Sequence, residues 1–297
     1  MHISLLGVPM DLGADRRGVD MGPSAIRYVE LGEKLRALGH DVIELEAIRV
    51  PDPETRAPGD LRLKYLQPIV TATIATADRV AQCLADGSFP VILGGDHSIA
   101  LGSISGAARE RGPLSVLWVD AHADFNTVDT SPSGNIHGMI LAALAGLGDP
   151  RLVNAAGPGP HIDPQRIAIV GARELDPGER ALLHEAGVHV YTMSDIDHRG
   201  MSEVTREAIE RISSGSGGLH VSFDMDVVDP RDAPGVGTPV PGGVTYREAH
   251  LAMELVAESG QLTSLDIVEV NPILDRENQT AILAAELVLS ALGKRIY

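Results

Sequence analysis

The sequence predicts an α/β fold in which helices cover a parallel β-sheet. Eight short apolar segments, typical of buried strands, recur along the 297 residues, and helical patterns separate most of them. This alternation indicates a parallel sheet, and the 44% hydrophobic content is sufficient for a large core. An open three-layer sheet and a closed barrel share the alternation, so periodicity alone leaves both architectures open.

The predicted elements follow one another at regular intervals. Strands are expected near residues 3–8, 42–47, 89–93, 114–119, 166–170, 188–191, 219–223 and 265–270. Helical patterns cover residues 23–38, 65–85, 177–186, 203–212, 245–258 and 280–292. Loop-like stretches lie at residues 50–60, 146–164 and 213–218. None of these loops is long enough to require a domain boundary, so residues 1–297 are expected to form one domain.

Composition restricts the classes of function. Asp and Glu outnumber Lys and Arg by 41 to 24, which gives a net charge of −17 at pH 7. This charge argues against a nucleic-acid partner and attracts cations, including divalent metals. Cys83 is the only cysteine, so no disulfide and no thiolate metal site is expected. The start, MHISLLGVPM, is typical of a strand rather than a signal peptide, and no apolar run suits a membrane helix, so a cytoplasmic protein is expected.

The stretch VLWVDAHADFN, residues 116–126, contains the first candidate site. A buried strand is predicted to end here, and Asp120, His122 and Asp124 follow it at alternate positions. If the strand geometry continued, the three side chains would face one way. Carboxylates with one imidazole suit a hard or borderline divalent cation better than a soft one. Three solvated polar residues in a turn are the alternative interpretation.

Three further polar clusters follow predicted strands. GGDHS contains His97, SFDMDVVDP contains Asp224 and Asp226, and Glu269 ends the last strand. In parallel α/β sheets, ligands bind beyond the carboxyl ends of the strands. The sequence therefore predicts one crevice that collects the side chains of His97, Asp120, His122, Asp124, Asp224, Asp226 and Glu269. Considered one at a time, the aspartates also suit turns or helix caps, and His97 also suits a packed core histidine.

The charge balance of this crevice indicates two metal ions. Four aspartates with one negative charge each would balance two divalent cations, and without the ions their mutual repulsion would raise their pKa values. Oxygen-rich ligation with only two imidazoles favours manganese over zinc. Two ions can bridge a water molecule, lower its pKa and present hydroxide at neutral pH. With Glu269 nearby, the pocket would be anionic and would prefer a cationic substrate.

Together, GGDHS, DAHAD and SFDMDVVDP resemble the three signatures of the ureohydrolases, the arginase and agmatinase family. The resemblance runs from GVPMDLG near the start, through GVDMGPSAIR, to EVNP near the end, so it covers nearly the whole chain. It implies a three-layer α/β/α sandwich with a central eight-stranded parallel sheet, two Mn²⁺ per subunit and hydrolysis of a guanidinium group to urea. It also implies that one ion is bound by His97, Asp120, Asp124 and Asp224, and the other by His122, Asp120, Asp224 and Asp226.

Within the family, two further segments resemble those of arginases. SGNIHGM, residues 133–139, resembles the loop that binds the α-carboxylate of the substrate, and ARELDPGE, residues 172–179, resembles the segment that holds its α-amino group. The resemblance assigns the α-carboxylate to Asn126, Ser133 and Asn135, and the α-amino group to Asp176 and Glu179. It makes His137 the proton shuttle and places Glu269 against the guanidinium. A glycine-containing loop and an ordinary helix start are the alternatives for these segments.

The activity implied by the resemblance is hydrolysis of L-arginine to L-ornithine and urea by a metal-bridging hydroxide, with Asp124 passing a proton toward the leaving amine. The alternatives are agmatinase or another ureohydrolase of guanidino compounds, a single-zinc deacetylase of related fold, and a non-enzymatic arginine- or metal-binding protein. The resemblance also implies a homo-oligomer, a trimer or a hexamer. The sequence ends at Tyr297, soon after the last predicted helix, whereas some family members have a longer tail that helps to join subunits.

Overall fold

The fold is organised around one parallel sheet of eight strands. The computed structural model describes residues 1–295, so Tyr297 lies outside the described residues. The strands are β1 His2–Val8, β2 Asp41–Glu44, β3 Phe89–Gly94, β4 Leu114–Val119, β5 Ile167–Ala172, β6 His189–Thr192, β7 Gly218–Asp224 and β8 Leu262–Val268. Their order is β2-β1-β3-β8-β7-β4-β5-β6. All eight predicted strands are confirmed, and because β2 and β6 form the two edges, the sheet is open rather than a barrel.

Helices cover both faces of the sheet. They are α1 Gly22–Tyr28, α2 Leu31–Ala37, α3 Leu66–Ala85, α4 Ala100–Arg111, α5 Ile140–Leu144, α6 Pro150–Val153, α7 Pro177–Ala186, α8 Met193–Arg199, α9 Met201–Ser213, α10 Tyr246–Ser259 and α11 Gln279–Ala291. Alternate strand residues face opposite layers, so Leu5 belongs to the core cluster on the side of α1, α2 and α8 to α11, whereas Leu6 belongs to the cluster on the side of α3 to α7. The predicted three-layer α/β/α sandwich is confirmed.

One helix prediction needs correction, and one long helix is absent from the predictions. The helical pattern over residues 23–38 forms two helices, because Glu30 has a φ of 62° and this left-handed conformation interrupts the helix. The sequence does not predict α4, whose many small residues give it no clear apolar stripe. Those small residues allow close packing against α3, since a Cβ atom on Gly106 would lie only 2.4 Å from the backbone oxygen of Ala77.

The four strands that carry predicted site residues are neighbours at the centre of the sheet. Their order is β3-β8-β7-β4, and all four run in the same direction. The loops that leave their carboxyl ends therefore meet above one edge of the sheet. Among the helices formed by residues 1–295, none combines the length and the apolar composition that crossing a membrane requires.

Candidate active site

The six candidate metal ligands, here called the ligand cluster, meet at the carboxyl ends of three central strands. Their members are His97, Asp120, His122, Asp124, Asp224 and Asp226. His97 begins a short 3-10 turn just after β3, Asp120 directly follows β4, and Asp224 is the last residue of β7. All members are buried except His122, which is partly exposed. The structure therefore brings together side chains that lie up to 129 positions apart in the sequence, since Asp226 and His97 differ by that number.

The first group of candidate ligands surrounds His97. Its Nδ1 atom lies 3.2 Å from Asp120 Oδ2 and 3.1 Å from the Oδ2 atoms of both Asp124 and Asp224. This nitrogen is buried and has no hydrogen-bond partner among the described residues. Donor atoms about 2.1 Å from one ion in octahedral geometry lie about 3 Å from one another, which matches these distances. The arrangement therefore fits a shared divalent cation.

The second group adjoins the first through Asp120. His122 Nδ1 lies 3.0 Å from Asp226 Oδ2 and 3.5 Å from Asp120 Oδ1. Asp120 therefore presents one carboxylate oxygen to each group, as a bridging ligand does. Thr238, for which the sequence contains no obvious signal, donates a hydrogen bond to Asp226 Oδ2 at 3.0 Å and holds that carboxylate in place.

The crowding of carboxylates calls for a compensating positive charge. Burial, and then the charges of Asp226 and Asp120, raise the pKa of Asp224 well above its ordinary value. Burial and the charge of Asp120 also raise the pKa of Asp124. Carboxylates bind metal ions in their ionised form, so bound cations would remove this penalty. The residues present therefore fit divalent cations with oxygen-rich coordination.

The expected strand-like alternation of Asp120, His122 and Asp124 is wrong in detail. β4 ends at Val119, so the pleat of a strand does not align these side chains. Asp124 instead has a φ of 51°, a left-handed conformation that aspartate adopts more readily than most residues. This turn places the Asp124 carboxylate within reach of His97.

A buried aromatic ring supports the first group. Trp118, on β4, stacks on the imidazole of His97 with 3.9 Å between ring centroids and 7° between ring planes. Its Nε1 atom donates a hydrogen bond to Asp120 Oδ2 at 2.8 Å. Trp118 is the only tryptophan in the chain. From the sequence it belongs to an apolar strand, and that pattern does not reveal its contacts with two candidate ligands.

A second set of buried polar residues lies behind His97. His97 Nε2 is 2.8 Å from Ser222 Oγ, and Ser222 donates to Asp266 Oδ1 at 2.5 Å. Asp266 also accepts a hydrogen bond from Ser103 and lies 2.9 Å from His220 Nε2. All of these side chains are fully buried. Sequence reasoning missed them, although the recurrence of polar residues at every second position in β7 and β8 is a signal that points to them.

Glu269 and His137 form a pair beside the ligand cluster. Glu269 directly follows β8, and its φ of 65° is a conformation rarely adopted by glutamate, of the kind that concentrates at functional sites. Its Oε1 atom accepts a hydrogen bond from the backbone N–H of His97 at 2.9 Å and lies 3.1 Å from His137 Nδ1. Burial alone lowers the pKa of His137, but the Glu269 carboxylate raises it to about 9. His137 is therefore positively charged at neutral pH.

The candidate substrate-binding residues, here called the rim, belong to the loops around the same cleft. They are Asn126, Ser133, Asn135, Asp176 and Glu179. Asn126 donates to Asp176 Oδ2 at 2.9 Å, which links the two segments predicted to bind the α-carboxylate and the α-amino group. Glu179 accepts hydrogen bonds from the backbone N–H groups of Phe125, at 2.8 Å, and Asp176, at 3.2 Å. Burial raises the pKa of Glu179 to about 7.

Asn135 is the only rim residue that does not line the cleft itself. Its side-chain oxygen accepts a hydrogen bond from Lys64 Nζ at 3.0 Å, and Lys64 also pairs with Asp15 at 2.8 Å. The amide nitrogen of Asn135 is thereby left to face other partners. Sequence reasoning missed Lys64, which lies outside every recognised motif, and it also missed Glu174, which lines the cleft.

Comparison with known proteins is consistent with these features. The model of the Arginase family matches residues 1–293. The arginase of Bacillus subtilis (strain 168) is 50% identical over 294 residues, which cover 99% of this chain and 98% of that protein. The native arginase of Bacillus caldovelox at pH 5.6 has a TM-score of 0.97 and 48% identity, covering 100% of this chain and 99% of that chain. The Entamoeba histolytica arginase in complex with L-ornithine has a TM-score of 0.91 and 31% identity, covering 99% of this chain and 100% of that chain.

The extent of these matches decides the family. Identity of about one position in two runs through almost the whole chain, and the same backbone fold accompanies it. The resemblance to the ureohydrolases inferred from the sequence motifs is therefore confirmed. The chain belongs to the arginase family.

Proposed function

We propose that the protein hydrolyses L-arginine to L-ornithine and urea. The observation that carries this proposal is the pair of overlapping ligand groups at the base of the cleft, with Glu269 bonded to the backbone of His97 and to His137 beside them. Such a site combines cation-binding carboxylates with a further acid that suits a guanidinium. The relatives named arginase support the same activity, and one solved relative holds L-ornithine.

We propose that the site binds two Mn²⁺ ions per subunit. His97, Asp120, Asp124 and Asp224 would hold one ion, and His122, Asp120, Asp224 and Asp226 would hold the other. Predominantly oxygen ligands with two imidazoles favour manganese over softer metals. When bound, the ions would supply an activated water and stabilise negative charge in the transition state.

The remaining roles belong to side chains of the chain itself. Glu269 would accept the substrate guanidinium, which would replace His137 as the positive charge beside its carboxylate. Asp124 would accept a proton from the attacking water and pass it toward the leaving amine. His137, which carries a proton at neutral pH, would exchange protons between this position and bulk solvent.

The rim would recognise the α-carbon end of the substrate. Asn126, Ser133 and Asn135 can donate neutral hydrogen bonds to an α-carboxylate. Asp176 and Glu179 can accept hydrogen bonds from an α-ammonium group. Because Asn126, Ser133, Asp176 and Glu179 line one cleft, a substrate with both groups on one carbon would gain more contacts than a substrate with only one of them.

The domain organisation, the oligomeric state and the cellular location are also part of the proposal. We propose that the chain acts as one domain, since both layers of helices pack on one sheet. A trimer or hexamer and a cytoplasmic location, as expected from the sequence, stay predictions. Among the alternatives, a single-zinc deacetylase would give no role to the second ligand group around His122 and Asp226.

A urea-release assay on manganese-reconstituted protein tests the proposal. The substrates are L-arginine, agmatine, which lacks the α-carboxylate, and 4-guanidinobutyrate, which lacks the α-amino group and has a chain one carbon shorter. A hydrogen bond to a charged group contributes about 1.5–3 kcal/mol, so losing two or three should lower kcat/KM at least about a hundredfold. Equal or faster turnover of agmatine would contradict the assignment to arginine and favour agmatinase. Absence of urea from all three substrates would favour a binding protein.

A further inference from the structure

Behind His97, hydrogen bonds connect a buried carboxylate to a candidate metal ligand. Asp266, on β8, accepts hydrogen bonds from Ser222 and Ser103 and lies against His220. The Ser222 hydroxyl stands between Asp266 and His97, 2.5 Å from the carboxylate and 2.8 Å from the imidazole Nε2. None of these side chains is accessible to solvent. Water therefore offers no alternative partners for the groups in this network.

The direction of each hydrogen bond follows from the number of protons. Ser222 has one hydroxyl proton, and it donates that proton to Asp266. Its oxygen can then only accept a hydrogen bond from His97, so Nε2 of a neutral imidazole must carry the proton. The lone pair of His97 consequently lies on Nδ1, the atom surrounded by three candidate carboxylate ligands.

The charge of Asp266 is what gives this chain of bonds its direction. Asp266 accepts hydrogen bonds from Ser222 and Ser103 and lies 2.9 Å from His220 Nε2, and this set of donors stabilises the ionised carboxylate. An ionised carboxylate can only accept hydrogen bonds, whereas a neutral amide at this position could also donate one. A donor at this position would allow the Ser222 hydroxyl to rotate and donate its proton to His97 Nε2. His97 would then carry its proton on Nδ1 and could not bind a metal through that atom.

We propose that Ser222 and Asp266 are positioning residues that select the Nδ1-ligating tautomer of His97 and fix its orientation toward the metal. Trp118 defines the plane of the imidazole by stacking, and Ser222 defines the rotation of the ring within that plane. Outer partners of this kind set the basicity and direction of metal-binding histidines. The inference rests on the proposed function, because it requires a metal ion at the first ligand group.

The test measures metal affinity in purified protein, with Ser222→Ala as the main variant. Equilibrium dialysis against Mn²⁺, followed by elemental analysis, gives the number of bound ions and their dissociation constants. Because Trp118 is the only tryptophan and stacks on His97, its fluorescence should respond mainly to the ion at the first group. We expect Ser222→Ala to weaken that ion about 10- to 100-fold and to leave the ion at His122 unchanged.

Ser264→Ala is the matched control. Ser264 is also a fully buried strand serine, and it contacts Nδ1 of His220 on the far side of Asp266, at 2.7 Å. Ser264→Ala also removes one serine hydroxyl from this network, but the hydrogen bond between Ser222 and His97 stays intact. The affinity of the first ion should therefore stay close to that of the wild type. Ser222→Thr keeps a hydroxyl and should restore most of the affinity lost in Ser222→Ala. Thermal unfolding of the metal-free variants shows that each is folded.

The outcomes separate this inference from the proposed function. Wild-type protein that binds two ions, together with a Ser222→Ala variant of equal affinity at both sites, would overturn only the positioning role. A Ser264→Ala variant that loses as much affinity as Ser222→Ala would also overturn it, because the effect would then come from general disturbance of the core. Wild-type protein that binds no Mn²⁺ would overturn both.

Discussion

The ligand cluster and the rim differ in whether their polar side-chain atoms have hydrogen-bond partners. In the ligand cluster, Nδ1 of His97 points at three carboxylates and has no hydrogen-bond partner within residues 1–295. In the rim, polar groups bond to one another, as Asn126 does to Asp176 and Glu179 to a backbone N–H. We therefore expect an ion to enter the first region without breaking hydrogen bonds, whereas a substrate that bound to the second region would have to exchange or share them.

This difference follows from the supporting structure. The ligand cluster stands at the ends of central strands, and buried residues such as Trp118 and Ser222 contact its side chains and hold them in place. The rim stands on loops and on the first turn of α7, where Glu179 closes a capping box. Changes in the ligand cluster should thus affect the reaction of every guanidine, and changes in the rim should affect the choice among guanidines.

The largest effect is expected from Asp120→Ala, because Asp120 places one carboxylate oxygen beside His97 and the other beside His122. We expect both ions to bind weakly and kcat/KM for all guanidines to fall at least about a thousandfold, since bound ions would stabilise the transition state by several kcal/mol. Elemental analysis and urea release measure the two losses. An Asp120→Ala protein that keeps two ions and most of its activity would refute the bridging assignment.

Asp229→Ala provides the matched control. Asp229 is another buried aspartate just beyond β7, but its oxygens accept hydrogen bonds from Arg231 and from the backbone N–H of Gly242. The variant removes a carboxylate of the same size from the same region without removing a ligand. Its metal content should therefore equal that of the wild type, even if its stability is lower.

The next effect is expected in the rim, from Asp176→Ala. This change should raise KM for L-arginine about 10- to 100-fold and lower kcat less, because the ammonium is held alike in the ground and transition states. 4-Guanidinobutyrate has no α-amino group and should react equally well with both proteins. Asp176→Asn keeps a side chain that can cap α7 and isolates the effect of charge. An equal loss with both substrates would show damage to the loop rather than loss of recognition.

The two regions also differed in how well the sequence predicted them. The ligand cluster follows from apolar segments that end in acidic residues, because carboxyl ends of parallel strands meet at one edge. The sequence did not reveal the left-handed turn at Asp124 or the double contact of Trp118, since both depend on tertiary packing. The contact of Lys64 with Asn135 was not predicted for the same reason, because the two residues lie 71 positions apart in the sequence.

A moderate effect is expected from His137→Ala, which lies between the two regions. His137 contacts Glu269 but belongs to neither ligand group, so metal content should be unchanged. We expect kcat to fall about 10- to 100-fold, because proton transfer by a side chain typically contributes at least this much, and added imidazole should restore part of it. The control is His161→Ala, a histidine outside the cleft that contacts the backbone of Val153. Unchanged kcat in His137→Ala would rule out a proton-shuttle role.

The smallest effect concerns the stability of the rim in metal-free, substrate-free protein. Burial raises the pKa of Glu179 from 4.5 to about 7, so the folded state binds its proton more tightly than the unfolded state does. The stability contributed by this proton is fully present below pH 4.5 and is lost as pH rises toward 7. At about 1.4 kcal/mol for each pKa unit, the upper limit is ~3 kcal/mol.

Glu179→Gln removes this titration, because an amide stays neutral at every pH. Between pH 5 and pH 8 the free energy of unfolding of the wild type should therefore fall by about 1 kcal/mol relative to that of the variant. The loss is smaller than the upper limit because solvent in the cleft screens the carboxylate. The metal ligands titrate in both proteins, so their contribution cancels in the difference. Glu174→Gln, which removes an exposed carboxylate from the same cleft, is the matched control for the loss of one charge. Parallel pH profiles of the free energy of unfolding for wild type and Glu179→Gln would mean that ionised Glu179 does not destabilise the rim. The burial of Glu179 would then overstate the difference between the rim and the ligand cluster.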